Sequence, residues 1–199
     1  MGMFGALAAV LMLFEVPLPF LAPSFYGLDF AEVPMLVGTF ALGPVAGIVM
    51  QIVKILIKLI LKPTSTGFVG EFANVVMSCA LILPAGFIYR FKKSKTGAVA
   101  GMAVGTVLMA VAGVVMNALV MIPFYSNFMP IETIIKAGEA VNPAVSSVWT
   151  LAIFCVGPFN LVKGTLTSVI TAVIYKRISV LIHGASHGTS GSYGVKKAV

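Results

Sequence analysis

The sequence predicts an all-α integral membrane protein: a compact bundle of six transmembrane helices with the N- and C-termini in the cytoplasm. Three observations lead there. Of the 199 residues, 59% are hydrophobic and only 10% are charged, against roughly a quarter charged in water-soluble domains. The mean hydropathy is +1.07. The apolar tracts are long enough for helices of about 20 residues and nearly abut, which leaves room for one membrane domain over residues 1–182 and none for a separate soluble domain.

MGMFGALAAVLMLFEVPLPF opens the chain. It lacks the basic lead and small-residue cleavage site of a signal peptide, so it reads as the first span, about residues 2–16, stopped by Pro17 and Pro19. After the loop LPFLAPSFYGLDF, a short second span covers about 32–42 and ends at Gly43-Pro44. The third covers about 44–62 and ends at Lys62-Pro63. A turn of Ser65, Thr66 and Gly67 leads to the fourth span, about 68–90, and the basic run RFKKSK to the fifth, about 97–122, which stops before Pro123. A short helix at about 131–140 sits in the following loop. The last apolar region, Ser147 to Ile182, would be roughly 54 Å long as one helix, too long for a hydrocarbon core near 30 Å. Gly157-Pro158 is therefore expected to break it into an interfacial or re-entrant helix and a sixth span, about 158–181. Residues 183–199 are glycine- and serine-rich and read as a disordered cytoplasmic tail.

Basic residues set the orientation. Arg90, Lys92, Lys93, Lys95, Lys176, Arg177, Lys196 and Lys197 fall at cytoplasmic ends in the six-span arrangement, and all six acidic residues fall toward the outside. Lys54, Lys58 and Lys62 dissent. They share a stripe in the outward half of the third span and are expected to snorkel toward headgroups, with an anion-attracting role as the other reading.

The formal charge of +7 does not indicate nucleic acid, because the basic residues cluster beside apolar spans without an aromatic-interleaved face. Cys79 and Cys155 have no ligand-like spacing and read as small core residues without a disulfide. His183 and His187 read as solvated rather than as metal ligands. No P-loop, HExxH or GxSxG occurs, so no catalytic residue, metal or cofactor is expected.

Small residues mark helix contacts. Gly2, Gly5, Ala6 and Ala9 form a stripe on the first span that suits either internal packing or docking to a second membrane protein. Gly43 and Gly47, and Gly97, Gly101 and Gly105, read as internal packing.

Polar residues in lipid are costly and mark cavities or routes. Glu71 and Asn74, Asn117, and Asn160 and Lys163 fall at one outward depth on three spans. A spacing of three keeps each pair on one helix face. Two readings stand: a shared binding cavity, or Glu71 pairing with Lys163 while the asparagines tie helices together. Phe20, Phe25, Tyr26, Phe30, Phe124, Tyr125, Phe128 and Trp149 in the outer loops are interfacial anchors or an apolar lid.

Three stretches, LDFAEVPMLVGTFALGPVAGIVMQIVK (28–54), TGFVGEFANVV (66–76) and PFNLVKG (158–164), resemble the riboflavin-specific S components of energy-coupling factor (ECF) vitamin transporters. One departure is Ile55, where the family pattern has asparagine after the lysine. The resemblance implies a subunit of a bacterial cell membrane that captures riboflavin, with FMN as a further candidate, as substrate rather than cofactor. It implies docking through Gly2, Gly5, Ala6 and Ala9 to a transmembrane coupling protein driven by two cytoplasmic ATPases, and toppling in the bilayer to release the vitamin. The implied binding set is Asn160, Lys163, Asn117, Asn74 and Glu71. Asparagine both donates and accepts, which suits ribityl hydroxyls and the flavin imide alike. An S component for another vitamin, a membrane scaffold and a self-sufficient secondary transporter are the other readings.

Overall fold

The computed structural model describes residues 1–23, 26–64 and 66–186, with side chains described as far as Tyr175. Its helices are α1 (Gly2–Met12), α2 (Glu32–Leu42), α3 (Pro44–Leu61), α4 (Val69–Phe91), α5 (Lys95–Met116), α6 (Ile122–Tyr125), α7 (Ile131–Glu139), α8 (Val148–Leu151) and α9 (Gly157–Ser186). Four helical runs are long and apolar enough to cross a membrane: Pro44–Leu61, Val69–Phe91, Lys95–Tyr125 and Val148–Tyr175. α1 and α2 are apolar but shorter.

Two of those runs pass through prolines expected to stop them. Asn117–Met121 and Ala152–Val156 are π-helical turns, joining α5 to α6 and α8 to α9. At the end of each, the residue before a proline bonds five residues back, Ile122 N–H to Asn117 O and Gly157 N–H to Ala152 O. A proline lacks an N–H and its ring crowds the carbonyl four residues earlier. Placed just where the register changes from five to four, Pro123 and Pro158 fall at a widened turn, and the helix continues. The expected break at Gly157-Pro158 is thus absent, and the separate interfacial helix becomes the start of a continuous helical run.

The fold is not wholly helical. α1 ends by Leu13, earlier than expected, and Val16–Pro17 (β1) pairs antiparallel with Gly27–Leu28 (β2), Val16 opposite Leu28. The α2–α3 turn needs glycine: Gly43 has φ +97° with an extended ψ of 168°, a conformation closed to residues with a Cβ. Before α4, Phe68 adopts a left-handed φ of 70°. Threonine hydroxyls hold that turn, Thr64 Oγ1 accepting from Phe68 N and Thr66 Oγ1 from Gly70 N.

Apolar side chains gather in two cores. One lies inside the bundle around Met35, Leu36, Met50, Leu81, Ile82 and Met109. The other, around Ala22, Leu28, Ile122, Ile134, Leu151 and Phe159, packs the hairpin and α7 over one end of the bundle as a cap. Gly101 and Gly105 of α5 serve internal packing: a Cβ there would sit 2.8 Å from the Ala85 carbonyl oxygen and 2.3 Å from that of Leu81. α1 corrects the expectation of a single docking stripe. Gly5 and Ala9 are buried, and a Cβ on Gly5 would lie 2.8 Å from Val53 of α3, so that pair is spent inside the chain. Gly2 is exposed with nothing near its α-carbon, and Ala6 is half-buried.

Candidate functional site

α3 and α4 carry matching polar faces at helical spacing: Gln51, Lys54 and Lys58 on α3, Glu71, Asn74 and Ser78 on α4. They meet as rungs. Gln51 Nε2 and Lys54 Nζ both donate to Asn74 Oδ1, at 3.1 and 2.9 Å. Lys54 also reaches Ser78 Oγ at 3.4 Å. Lys58 pairs with Glu71, whose other oxygen accepts from Thr64 and Thr66 at 3.0 and 3.2 Å.

Deeper in the bundle, α2 and α9 join this ladder through a second group of charges. Lys163 Nζ lies 2.8 Å from Asp29 Oδ2 and 3.3 Å from Glu32 Oε2, while Lys54 Nζ lies 3.6 Å from Glu32 Oε1. Ser78 Oγ donates to that same Glu32 oxygen at 2.9 Å. Two carboxylates thus face two ammonium groups, all buried, so the cluster is neutral as a whole and tolerable in a low-dielectric interior. Asp29 also accepts from Ala31 N–H at 2.9 Å, tying the hairpin strand to the start of α2. Burial and the neighbouring Glu32 push its carboxyl above the ordinary carboxylate range, with Lys163 and Lys54 opposing.

The two asparagines sit beside the π turns. Asn117 Nδ2 donates to Gly113 O at 2.8 Å and Asn160 Nδ2 to Val156 O at 2.9 Å, each to the carbonyl four residues earlier. Each amide spends one N–H on its own helix and keeps further hydrogen-bonding capacity. Tyr26, from the hairpin, donates its hydroxyl to Asn117 Oδ1 at 2.6 Å and tilts against Phe159 with ring centroids 5.9 Å apart. Burial pushes the Tyr26 phenol up from its ordinary value.

All five polar residues singled out from the sequence, Glu71, Asn74, Asn117, Asn160 and Lys163, line one cavity of about 270 Å³. Met12, Met77, Met109 and Met121 supply apolar wall, soft side chains that conform to a flat surface. Lys58 and Lys62 stand at its polar side with Thr66. The cavity volume lies just under the about 300 Å³ at which small-molecule sites usually begin.

Several expectations are corrected. Glu71 and Lys163 do not pair with each other; each has a nearer opposite charge. The α3 lysines do not all snorkel: Lys54 is 0% exposed because Glu32, Asn74 and Ser78 supply inside the bundle what headgroups would supply outside. Lys58 is paired, and only Lys62 of the three is exposed. Of the aromatics, Tyr26 and Tyr125 line the cavity, while Phe20 and Phe128 are exposed and Phe25 lies outside the described residues. Cys79 and Cys155 are free thiols. Among the described residues no three metal-ligating side chains cluster; His187 and the His183 side chain lie outside them.

The sequence reading missed Asp29, Glu32, Gln51 and Ser78, and it placed Lys54 toward headgroups and Tyr26 among the loop aromatics rather than in the polar cluster. A signal existed for most. Gln51, Lys54 and Lys58 repeat at three and four residues, as do Glu71, Asn74 and Ser78, and two polar stripes on consecutive antiparallel helices imply each other. Asp29 and Glu32, three apart before an apolar helix, are the only carboxylates of their region and match two buried lysines in number. Tyr26 had no such signal, because its partner is 91 residues away.

The family described as "ECF transporter, substrate-specific component" matches residues 1–175. The chain is similar to the riboflavin transporter RibU of Staphylococcus aureus (strain TCH60), with 30% identity over 178 residues covering 89% of this chain and 87% of that protein. It is similar to the riboflavin transporter FmnP of Bacillus subtilis (strain 168), with 28% identity over 180 residues covering 89% and 88%. Among solved structures, an S component of a bacterial ECF transporter matches with a TM-score of 0.70 at 30% identity, over 90% of this chain and 93% of that one. The chain, a membrane transport subunit and not an enzyme, belongs to the substrate-specific components of ECF transporters.

Proposed function

We propose that this chain is the riboflavin-binding subunit of an ECF-type transporter of the bacterial cell membrane, capturing the vitamin with high affinity from outside for ATP-driven uptake. One observation carries the reading: asparagines and charges from α4, the π turn after α5, and α9 meet in a single cavity, in a chain 30% identical over 89% of its length to a protein named a riboflavin transporter. A neutral ligand with a flat ring and a hydroxylated chain suits that lining. The methionines bed the ring, Asn117 and Asn160 address imide and hydroxyl groups, and Lys163 donates while Asp29 and Glu32 hold it in place. Asn74 and Glu71, each engaged by an α3 lysine, line the wall where the ribityl chain lies.

The cavity must widen to admit a flavin, and the hairpin is the part that moves. It is clasped at two points, Asp29 to Lys163 and Tyr26 to Asn117, and Leu18, Leu21 and Ala22 between its strands pack in the cap rather than in the bundle. In the bilayer, α1 and α2 complete six spans with both termini cytoplasmic, which turns the cavity outward. The Gly2 and Ala6 side of α1 meets the transmembrane coupling protein, which two cytoplasmic ATPases drive. Titration of the purified chain with riboflavin, followed by quenching of flavin fluorescence, is expected to saturate below micromolar. Absence of saturable quenching, or equal displacement by thiamine or pantothenate, overturns the assignment.

A further inference from the structure

At the opposite end of the bundle lies a second cavity of about 310 Å³, lined by Thr39, Phe40, Gly43, Tyr89, Arg90 and Lys93 among others. Its charge is one-sided. Four of the six acidic residues, Glu15, Asp29, Glu32 and Glu71, line the first cavity, and Glu132 and Glu139 lie on α7 in the cap over that same end. Among the described residues, Arg90 and Lys93 therefore face no carboxylate. The C-termini of α2 and α4 each bring about half a negative charge and the N-terminus of α3 about half a positive one, so with two side-chain cations the balance stays near +1.5.

The floor is polar and unsatisfied. Thr39 is 1% exposed, and its hydroxyl oxygen has no hydrogen-bond partner among the described residues. It sits between Gly47 and Gly86, where any added Cβ would lie within 2.6 Å of its side chain, so the two glycines leave the space it occupies. Gly43 opens α3 at the same place, and the first N–H groups of that helix lack intrahelical acceptors. Phe40 and Tyr89 wall the inner side, and Tyr175 packs against both, its hydroxyl bonded to that of Tyr89. Around the cavity the surface is hydrocarbon: Leu42, Val45, Phe87 and Phe91 are all exposed.

We infer that this cavity binds the phosphate of an anionic membrane phospholipid, with Arg90 and Lys93 on the phosphate oxygens, Thr39 beneath, and the acyl chains along Leu42, Phe87 and Phe91. Basic pockets between helix ends at a membrane surface take such headgroups, and the flanking apolar surface favours a lipid over a free anion. The inference requires only that the chain is embedded in a membrane, whatever the first cavity binds.

The test is native mass spectrometry of the detergent-purified full chain supplied with dioleoyl-phosphatidylglycerol or dioleoyl-phosphatidylcholine. One phosphatidylglycerol is expected to be retained about thirtyfold more strongly, from two basic residues near the surface. Arg90→Gln with Lys93→Gln removes that preference, Thr39→Val weakens it, and Lys92→Gln with Lys95→Gln, outside the cavity, leaves it. Helical content by circular dichroism confirms that each variant folds. Equal retention of the two lipids, or equal loss in both double variants, overturns the site. Displacement of the lipid by millimolar inorganic phosphate alone overturns the lipid as its occupant.

Discussion

On one side α4 meets α5 through Gly101 and Gly105, whose α-carbons rest against the Ala85 and Leu81 carbonyls. On the other it meets α3 through Gln51, Lys54 and Lys58, long polar side chains bonded to Asn74, Ser78 and Glu71. The first seam brings backbones together, which is how helices associate where lipid gives no hydrophobic drive. The second holds two helices at the reach of a lysine and fills the gap with hydrogen bonds. Small residues exclude everything from a seam; paired charges keep it open, and the cavity of about 270 Å³ lies beside the open one.

The sharpest way to break this contrast is to unbalance the charges. Lys163→Met leaves Asp29 and Glu32 sharing Lys54, and is expected to cost about 3–5 kcal/mol, as for one partner lost from a buried pair. Adding Asp29→Asn should recover much of it. Thermal unfolding in detergent without ligand measures both, and a single variant as stable as the parent would mean the cluster is wet. Next, Gly105→Val drives a side chain into the Leu81 carbonyl and is expected to cost about 1–3 kcal/mol. The folded fraction should bind ligand as before, since Gly105 and Leu81 do not line the cavity; a large affinity change would show the two seams to be coupled. Smallest is Lys58→Met, expected to cost about 1 kcal/mol, because Glu71 keeps Thr64 and Thr66 as donors. A loss as large as that of Lys163→Met would erase the distinction between the outer rung and the inner cluster.

What could be read from the sequence follows the range of the interaction. The apolar runs behind the four membrane-capable helices, the α2–α3 turn at Gly43 and the glycine face of α5 are local patterns, and they stand where composition puts them. Glu71, Asn74, Asn117, Asn160 and Lys163 were visible because amides and charges in lipid have few innocent explanations. Lys54 was misread because snorkelling and burial look alike until the partner is known, and its partners are on α2 and α4. Gly5 and Ala9 share a stripe with Gly2 and Ala6 in the sequence, but a shift of three residues turns the second pair about 60° from the first, enough to bury Gly5 and Ala9 while Gly2 stays exposed and Ala6 half-buried. Pro123 and Pro158 look like stops because helix rules assume one hydrogen-bond register throughout.

Each widened turn holds one surplus residue relative to a regular helix, and so advances the azimuth of everything after it by about 100°. Excising a single residue from Ala152–Val156 would leave composition, hydropathy and span length almost unaltered. It would also swing Asn160 and Lys163 together from the interior to the lipid-facing side. The phase of the last helix, rather than its chemistry alone, decides what those two side chains can touch.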